Sequence, residues 1–342
     1  MNTSGLKELI SVIIPTRNRE KLLSQAVNSV LQQTHEHLEL IIVDEASDDG
    51  TEEYIKSIDD QRIHYIRHDQ PKGGNIARNN GFKQAAGDYI AFLDDDDIWS
   101  RKKLEKQYAA MKKHPDAGMV SCNNLVFNEK GSILRQSSRG SNKYYSQKEA
   151  LQKILIDNFI GGASFPLIRR ECLEKVNGFR EHLKSAQETD LYVRIIHAGY
   201  GVFICEDPLI LYRVHSNNRI TDSFEPKLQG LEELYRYKKD NILLQLNDET
   251  AIHVTEEHIM KLSEVYIRNK NYKKFLEVKK NIEKNDLDKN ALLRAKIQGK
   301  VLKNRLSHTP PGRGIKTLVQ SAKSRKLNSY WQQYIKTEFP HK

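Results

Sequence analysis

At 342 residues, with 38% apolar and 8% aromatic side chains, the chain is long enough for two or three domains and a sizeable buried core. It holds no run of about 18 apolar residues, and its N-terminus lacks a basic stretch leading into an apolar one with a small-residue cleavage site. A spanning helix and a signal peptide are therefore not expected, and the cytoplasm is the expected compartment. The net charge of +10 is unevenly placed: residues 1–225 carry 30 basic and 32 acidic side chains, whereas 226–342 carry 25 and 13.

In chain order, the first hundred residues alternate as a parallel α/β sheet demands. "ISVIIPT" is a short β-branched strand ended by Pro15, and "REKLLSQAVNSVLQQ" has apolar residues at helical spacing. "LELIIVDEASDDGT" is a second strand breaking into an acidic turn, followed by the helix "TEEYIKSI", the strand "RIHYIRHD", the helix "GNIARNNGFKQAA" and the strand "YIAFLD". From Lys112 to Phe224 the pattern mixes strands ("AGMVSCNNLVFN", "GYGVFICEDPLILYRVH") with helices ("SQKEALQKILIDN", "ETDLYVRIIHAG"), and beyond Pro226 it becomes helical and basic. The expected organisation is a domain over 1–225, with a first half over 1–111 and a second over 112–225, followed by a basic α-helical region over 226–342.

In a doubly wound sheet, ligands sit beyond the carboxyl ends of the strands. Three polar clusters fall there: "PTRN", "DEASDDG" and "DDDD", Asp94 to Asp97. Adjacent carboxylates repel by roughly 1–4 kcal/mol per pair at a protein surface. Either solvent offsets this, as in an ordinary charged loop, or a hard divalent cation does, taking one or two carboxylates and completing its shell with phosphate and water. No GxxxxGK[ST] occurs, and "PKGGNIARNNG" lacks GxGxxG spacing, which argues against an NTPase or a dehydrogenase. Cys122, Cys172 and Cys205 are far apart and outside any CxxC spacing, so they read as buried thiols, not as a disulfide framework or zinc site.

Six blocks in order, "SVIIPTRNR", "IIVDEASDDGT", "ARNNGFKQAAGDYIAFLDDDD", "ECLEKVNGFRE", "QETDLYVRI" and "LYRVH", resemble those of glycosyltransferase family 2 proteins with the GT-A fold. The resemblance spans roughly residues 9–220. It implies a Rossmann-like, mixed and mainly parallel sheet flanked by helices, and inverting transfer of a sugar from a nucleotide-diphosphate donor, usually UDP-linked. Pro15, Thr16, Arg17, Asp44, Glu45, Arg78, Asp94 and Asp95 are the implied donor-binding residues. The family's DxD falls on Asp94 to Asp96, with Asp96 on Mn²⁺ or Mg²⁺. "VDEAS" departs from the usual paired aspartates followed by Gly-Ser and leaves the base open. Asp97 is expected to give polar support to the turn before Trp99.

An inverting transfer needs a base for the acceptor hydroxyl's proton. The family's catalytic aspartate aligns with Glu188, with Asp190 the following acid. Both also suit the start of the helix that follows, whose dipole would lower their pKa values. His215 resembles a position near the metal, with Arg213 beside it, although a lone His is as readily structural. Gly161 and Gly162, in "NFIGGASFPLIRR", lie where the family places acceptor contacts, and a plain turn before a strand serves the pattern equally well.

In "NALLRAKIQGKVLKNRLS", Leu293, Ile297, Val301 and Leu302 share a helical face among basic residues. That helix suits packing on the catalytic domain or a second subunit, or peripheral contact with an anionic membrane at the inner face of the cytoplasmic membrane. Nucleic acid is not an expected partner, for lack of a recognised module. The expected partners are a nucleotide-sugar donor and a glycan or lipid-linked glycan acceptor. Two rivals stand beside this reading: an inactive GT-A domain that binds glycan or membrane, kept open by Glu188 in place of Asp, and a sugar-1-phosphate nucleotidyltransferase, for which "IPTRNREK" supplies Arg17, Arg19 and Lys21 but no glycines.

Overall fold

The computed structural model describes residues 8–214, 224–269 and 334–339. These fall into two compact units, one within Met1–His182, Gln187–Ser216 and Leu327–Lys342, the other within Leu183–Ala186 and Asn217–Lys326.

The first unit is built on a ten-stranded sheet. Its strands are β1 (Ile10–Thr16), β2 (Leu38–Asp44), β3 (Ile63–Arg67), β4 (Tyr89–Phe92), β5 (Ile98–Trp99), β6 (Ala117–Asn128), β7 (Ile133–Ser137), β8 (Lys143–Tyr145), β9 (Leu167–Arg169) and β10 (Gly201–Val214). The order is β3-β2-β1-β4-β9-β6-β10-β5, with β7 on β6 and β8 on β10. The pairings β3-β2, β2-β1, β1-β4 and β6-β10 are parallel. Because β9 runs against both β4 and β6, the six strands β1, β2, β3, β4, β6 and β10 share one direction, and β5, β7, β8 and β9 oppose them. This is the mixed, mainly parallel sheet expected. β5, β7 and β8 were not legible in the pattern: β5 and β8 span two and three residues, and β7 has one buried apolar residue followed by exposed or half-exposed ones, so none establishes a period.

The interleaved helices are α1 (Glu20–Leu31), α2 (Thr51–Lys56), α3 (Gly74–Gln84), α4 (Lys103–Lys113), α5 (Gln147–Ile156), α6 (Arg170–Lys175) and α7 (Gln187–His197). In α1, Leu23, Ala26, Val27 and Val30 recur at three- and four-residue steps and are fully buried, the stripe that docks a helix on a sheet. The strands they cover are apolar almost without alternation, because both faces of a parallel sheet are covered: Val12, Ile13, Ile14, Leu40, Ile41 and Ile42 are all at 0% exposure. Each such side chain stabilises the fold by roughly 1.5–3 kcal/mol relative to exposure. The three cysteines are buried and free, as expected.

A short helix at 334–338 belongs to this unit. Phe339, Tyr334 and Ile335 pack with Ile98, Leu125, Phe127, Ile133 and Leu211, and Arg101 N–H donates to the Glu338 carbonyl at 2.8 Å.

In the second unit, α8 (Phe224–Asn241) and α9 (Asp248–Arg268) pack on each other, with Tyr235 stacked on His258 at 4.1 Å between ring centroids. The candidate face over 290–307 lies outside the described residues. Among the described residues no helix is long and apolar enough to cross a membrane.

Candidate active site

The carboxyl ends of β1, β2, β4 and β10 carry the polar clusters. Parallel register aligns them: Glu45 N–H donates to the Thr16 carbonyl at 2.9 Å, His68 N–H to the Asp44 carbonyl at 2.8 Å, and Leu93 N–H to the Ile13 carbonyl at 2.9 Å. The loops after β1 and β2 are tied by Asn18, whose N–H donates to Ser47 Oγ at 2.9 Å and whose Oδ1 accepts from Asp48 N–H at 2.8 Å.

The acidic run divides into roles by burial and partner. Asp94 Oδ1 accepts from Arg78 Nη2 at 2.6 Å; Arg78 is 8% exposed and lies over the Phe179 ring, 5.5 Å from its centroid. Asp95 is 6% exposed; its Oδ2 accepts from the Thr16 hydroxyl at 2.9 Å and its Oδ1 from Arg19 Nη1 at 2.8 Å. The same nitrogen lies 3.2 Å from Asp96 Oδ2. Burial, with Asp96 adding to it against the pull of Arg19, pushes the Asp95 carboxyl up to about 6. Asp97 is buried: its Oδ2 accepts from Ser164 Oγ at 2.7 Å and its Oδ1 from Arg213 N–H at 3.1 Å, so it braces the turn before Trp99. Burial, with Asp96 and Asp94 nearby, raises its carboxyl well above the usual range. Ser164 completes the brace, accepting from Asp94 N–H at 3.1 Å while its carbonyl accepts from Trp99 Nε1 at 3.0 Å. Arg213 bonds the Asp96 carbonyl at 2.9 Å and Gln25 Oε1 at 2.7 Å.

Glu188 stands in the first turn of α7, partly exposed and within electrostatic reach of Arg78 and Asp94. The helix dipole was expected to lower its pKa; instead it is raised, because burial, with Asp94 nearby, outweighs the pull of Arg78. Tyr192, one turn on, is buried and donates to the Gly162 carbonyl at 2.9 Å. Asp190 faces other partners: it is fully buried between Arg194 Nε at 2.8 Å and Arg180 Nη1 at 3.3 Å. The structure thus brings Arg78, Asp94 and Glu188 together beside Thr16, Asp95 and Asp96, and sets Asp190 apart from them.

The acids after β2 are occupied by the protein. Asp44, at 0% exposure, accepts from Ser47 N–H at 2.9 Å, Ser47 Oγ at 2.6 Å, the Tyr65 hydroxyl at 2.6 Å and Arg67 Nη1 at 3.3 Å. Glu45 pairs with His68 and accepts from the N–H groups of Lys72, at 2.7 Å, and Gly73. Ala46, where the family pattern has Gly, is held at φ 57°, the left-handed region that an alanine enters at a cost. Pro15 is half-buried and Arg17 exposed on the same edge. His215 lies outside the described residues.

Ser164 carried no role in the sequence reading, and Arg19 appeared there only under the rival nucleotidyltransferase. Charge balance pointed to Arg19 only as one of two, because four adjacent acids on a folded edge require a cationic neighbour and "PTRNR" offers Arg17 and Arg19. Ser164 had no signal, since its partners are 67 and 70 residues away in the chain.

Among the described residues no three His, Cys, Asp or Glu side chains converge as a protein-only metal cage. The donor set suits a hard cation all the same: two carboxylates, Asp95 and Asp96, are turned towards a single cationic nitrogen, leaving the rest of a shell to phosphate and water.

The sequence profile described as "Glycosyl transferase family 2" matches residues 11–176. The chain is similar to TuaG of Bacillus subtilis (strain 168), named for teichuronic acid biosynthesis as a glycosyltransferase, at 32% identity over 216 residues, 62% of this chain and 81% of TuaG. It is similar to WfgD of Escherichia coli, a UDP-Glc:α-D-GlcNAc-diphosphoundecaprenol β-1,3-glucosyltransferase, at 33% identity over 48% of this chain and 66% of WfgD. In fold it is similar to the mannosyltransferase PcManGT of Pyrobaculum calidifontis, solved with GDP-Man and Mn²⁺, with a TM-score of 0.57 and 17% identity over 96% of this chain and 88% of that one. A GT-A sheet with an acidic edge at its strand ends, and a relative matched at this identity over 81% of its length, lead to one conclusion: the chain belongs to glycosyl transferase family 2.

Proposed function

We propose that the protein transfers a hexose or N-acetylhexosamine from a nucleoside diphosphate donor, a UDP-sugar by preference, to a hydroxyl of a cell-envelope or capsular glycan, with inversion at the anomeric carbon. One observation carries this reading: the Arg78–Asp94 pair stands within electrostatic reach of Glu188, beside two carboxylates turned towards one cationic nitrogen. The names of TuaG and WfgD support an envelope glycan, and that of WfgD a UDP donor and a lipid-linked acceptor.

Glu188 is the proposed base. It takes the acceptor hydroxyl's proton as that oxygen attacks the anomeric carbon and the nucleoside diphosphate leaves. Its raised pKa brings it nearer the operating pH, where general bases work best. Asp190 fixes α7 and so aims Glu188. Arg78 and Asp94 hold the donor's ribose and sugar, Thr16 and Asp95 border its diphosphate, and Pro15 and Arg17 line the base. Asp44 and Glu45 shape the base pocket, and Asp44 reads a base directly only by giving up Tyr65 or Arg67.

Asp96, with Asp95, would hold Mn²⁺ or Mg²⁺, with His215 a further candidate ligand. A bound cation would neutralise charge developing on the leaving diphosphate. Residues 1–225 form the catalytic part of this reading. The basic region over 226–342 is a means of meeting a second subunit or the inner face of the cytoplasmic membrane, where a lipid-linked acceptor resides.

Calorimetric titration with UDP, GDP, CDP and dTDP, each with and without Mn²⁺, tests the reading. Tight binding of one nucleotide that requires metal, weakened in Asp96→Ala even at excess metal, is expected. No binding of any nucleotide under either condition overturns it.

A further inference from the structure

Arg139 lies between β7 and β8, and it is the cation for which the proposed chemistry has no use. Its guanidinium stacks on the Phe165 ring, 4.6 Å from the centroid, and its Nε is buried with no hydrogen-bond partner. Among the described residues its side chain forms no ion pair, and Asp157 lies within electrostatic reach. The backbone beneath it is anchored, because Arg139 N–H donates to Asn123 Oδ1 at 2.6 Å. A guanidinium presents five donors in a rigid fork, and the one kept from water here, Nε, is costly without an acceptor. Such a donor can be completed by a water, an ion or a ligand.

The surroundings are built to keep the guanidinium open. Gly161 adopts φ +121°, and a Cβ there would stand 2.6 Å from the Phe165 ring and 3.1 Å from Arg139 Nε, so any side chain would break the stack. Asn158 secures the loop, donating from Nδ2 to the Gly161 carbonyl at 2.9 Å and to Thr189 Oγ1 at 3.2 Å. Tyr192, bonded to the Gly162 carbonyl, lies within electrostatic reach of Glu188, Asp94 and Arg78 and also of Arg139. The open guanidinium therefore shares Tyr192 as a neighbour with the proposed base. It is distinct from the diphosphate side, where Arg19 already answers Asp95 and Asp96.

We propose that Arg139 binds an anionic group of the acceptor, a carboxylate or a phosphate, and thereby selects acidic acceptors over neutral ones. The assignment rests on the glycosyltransferase reading in taking the ligand beside Glu188 to be the acceptor. Charge-assisted bonds from a stacked guanidinium to a planar carboxylate or to phosphate are among the strong ones. The lowered pKa that burial imposes on Arg139 accords with a cation short of counter-charge.

The test is equilibrium binding of three probes to the full chain with UDP and Mn²⁺ present: methyl β-glucuronide for a carboxylate, glucose 1-phosphate for a phosphate, and methyl β-glucoside as the neutral reference. At least one anionic probe is expected to bind about fivefold or more tighter than the glucoside, and the tighter of the two identifies the source of the charge. Arg139→Gln should abolish the preference, Arg139→Lys should keep part of it, and UDP binding should stay unchanged in both. Equal binding of all three probes, or a preference that survives Arg139→Gln, overturns the proposal. A chain that binds no nucleotide but keeps an Arg139-dependent anion preference would sink the donor reading, and with it the acceptor assignment, while leaving Arg139 as an anion site.

Discussion

Arg19 Nη1 lies 2.8 Å from Asp95 Oδ1 and reaches Asp96 Oδ2 at 3.2 Å, so one guanidinium nitrogen serves both carboxylates to which the metal is assigned. A cation entering there must displace or share that nitrogen. Arg19 is 45% exposed, which limits its hold to about 1 kcal/mol. Arg19→Gln should therefore strengthen Mn²⁺ binding to the nucleotide-free protein, by about fivefold, as read by titration calorimetry. Unchanged affinity would mean that Arg19 leaves the acids without cost.

Glu188→Gln keeps shape and removes the base. Transfer should fall by about 10²- to 10⁴-fold while UDP affinity moves less than about twofold. A base must be deprotonated, and its carboxyl is raised by burial. The acidic limb of the kcat/KM profile should thus lie above the ordinary glutamate value of about 4.3. A limb at or below that value would remove Glu188 from the role.

Ser164→Ala removes one hydroxyl that serves two acids of the run, bonding Asp97 at 2.7 Å and Asp94 N–H at 3.1 Å. It leaves a fully buried Asp97 short of a donor, at a cost of about 1–3 kcal/mol. Urea denaturation should show that loss, and donor affinity should weaken with it because the same turn carries Asp94 to Asp96. Wild-type stability in the variant would mean that the turn holds without its brace.

Lys103 is fully buried, donating to Gln107 Oε1 at 2.8 Å with its ammonium 3.8 Å from the Trp99 ring centroid. Burial lowers its pKa from 10.5 to about 8. The unfolded chain therefore holds the extra proton between those values, and the stability penalty, full below about 8, disappears as pH rises to 10.5. Its upper limit is roughly 3 kcal/mol. The stability of the wild type relative to Lys103→Met should climb across that window in denaturant titrations; a flat difference would contradict the shift.

Much of the site was legible because short-range pattern carries it. β-branched runs ending in polar turns marked β1, β2 and β4, parallel sheets place ligands beyond those ends, and an acidic run in such a place requires an opposing charge. Polar support by Asp97 for the turn before Trp99 was expected; its burial and its partners Ser164 and Arg213 came from the structure. What the pattern lacked was distance information. Asp44 and Glu45 each carry a full set of protein donors, supplied by β3 and by the approach to α3. Within "VDEAS" only Ser47 supplies donors, to Asp44; the others, from Tyr65, Arg67, His68, Lys72 and Gly73, lie more than twenty residues away and have no local signal.

The sequence by itself determined the strand and helix order, the acidic edge and the family, since hydrophobic period and motif spacing are properties of neighbours along the chain. Only the tertiary structure decided which acids face one another and which face protein cations. Asp190 goes to Arg194 and Arg180, Asp94 to Arg78, Asp95 to Arg19, and Arg139 to a ring. It likewise decided that Phe339 packs against Ile98 and Phe127, across more than two hundred residues of chain. Partner choice depends on where crossovers bring distant side chains and how far burial strips them of water, and neither quantity is written in a local stretch of sequence.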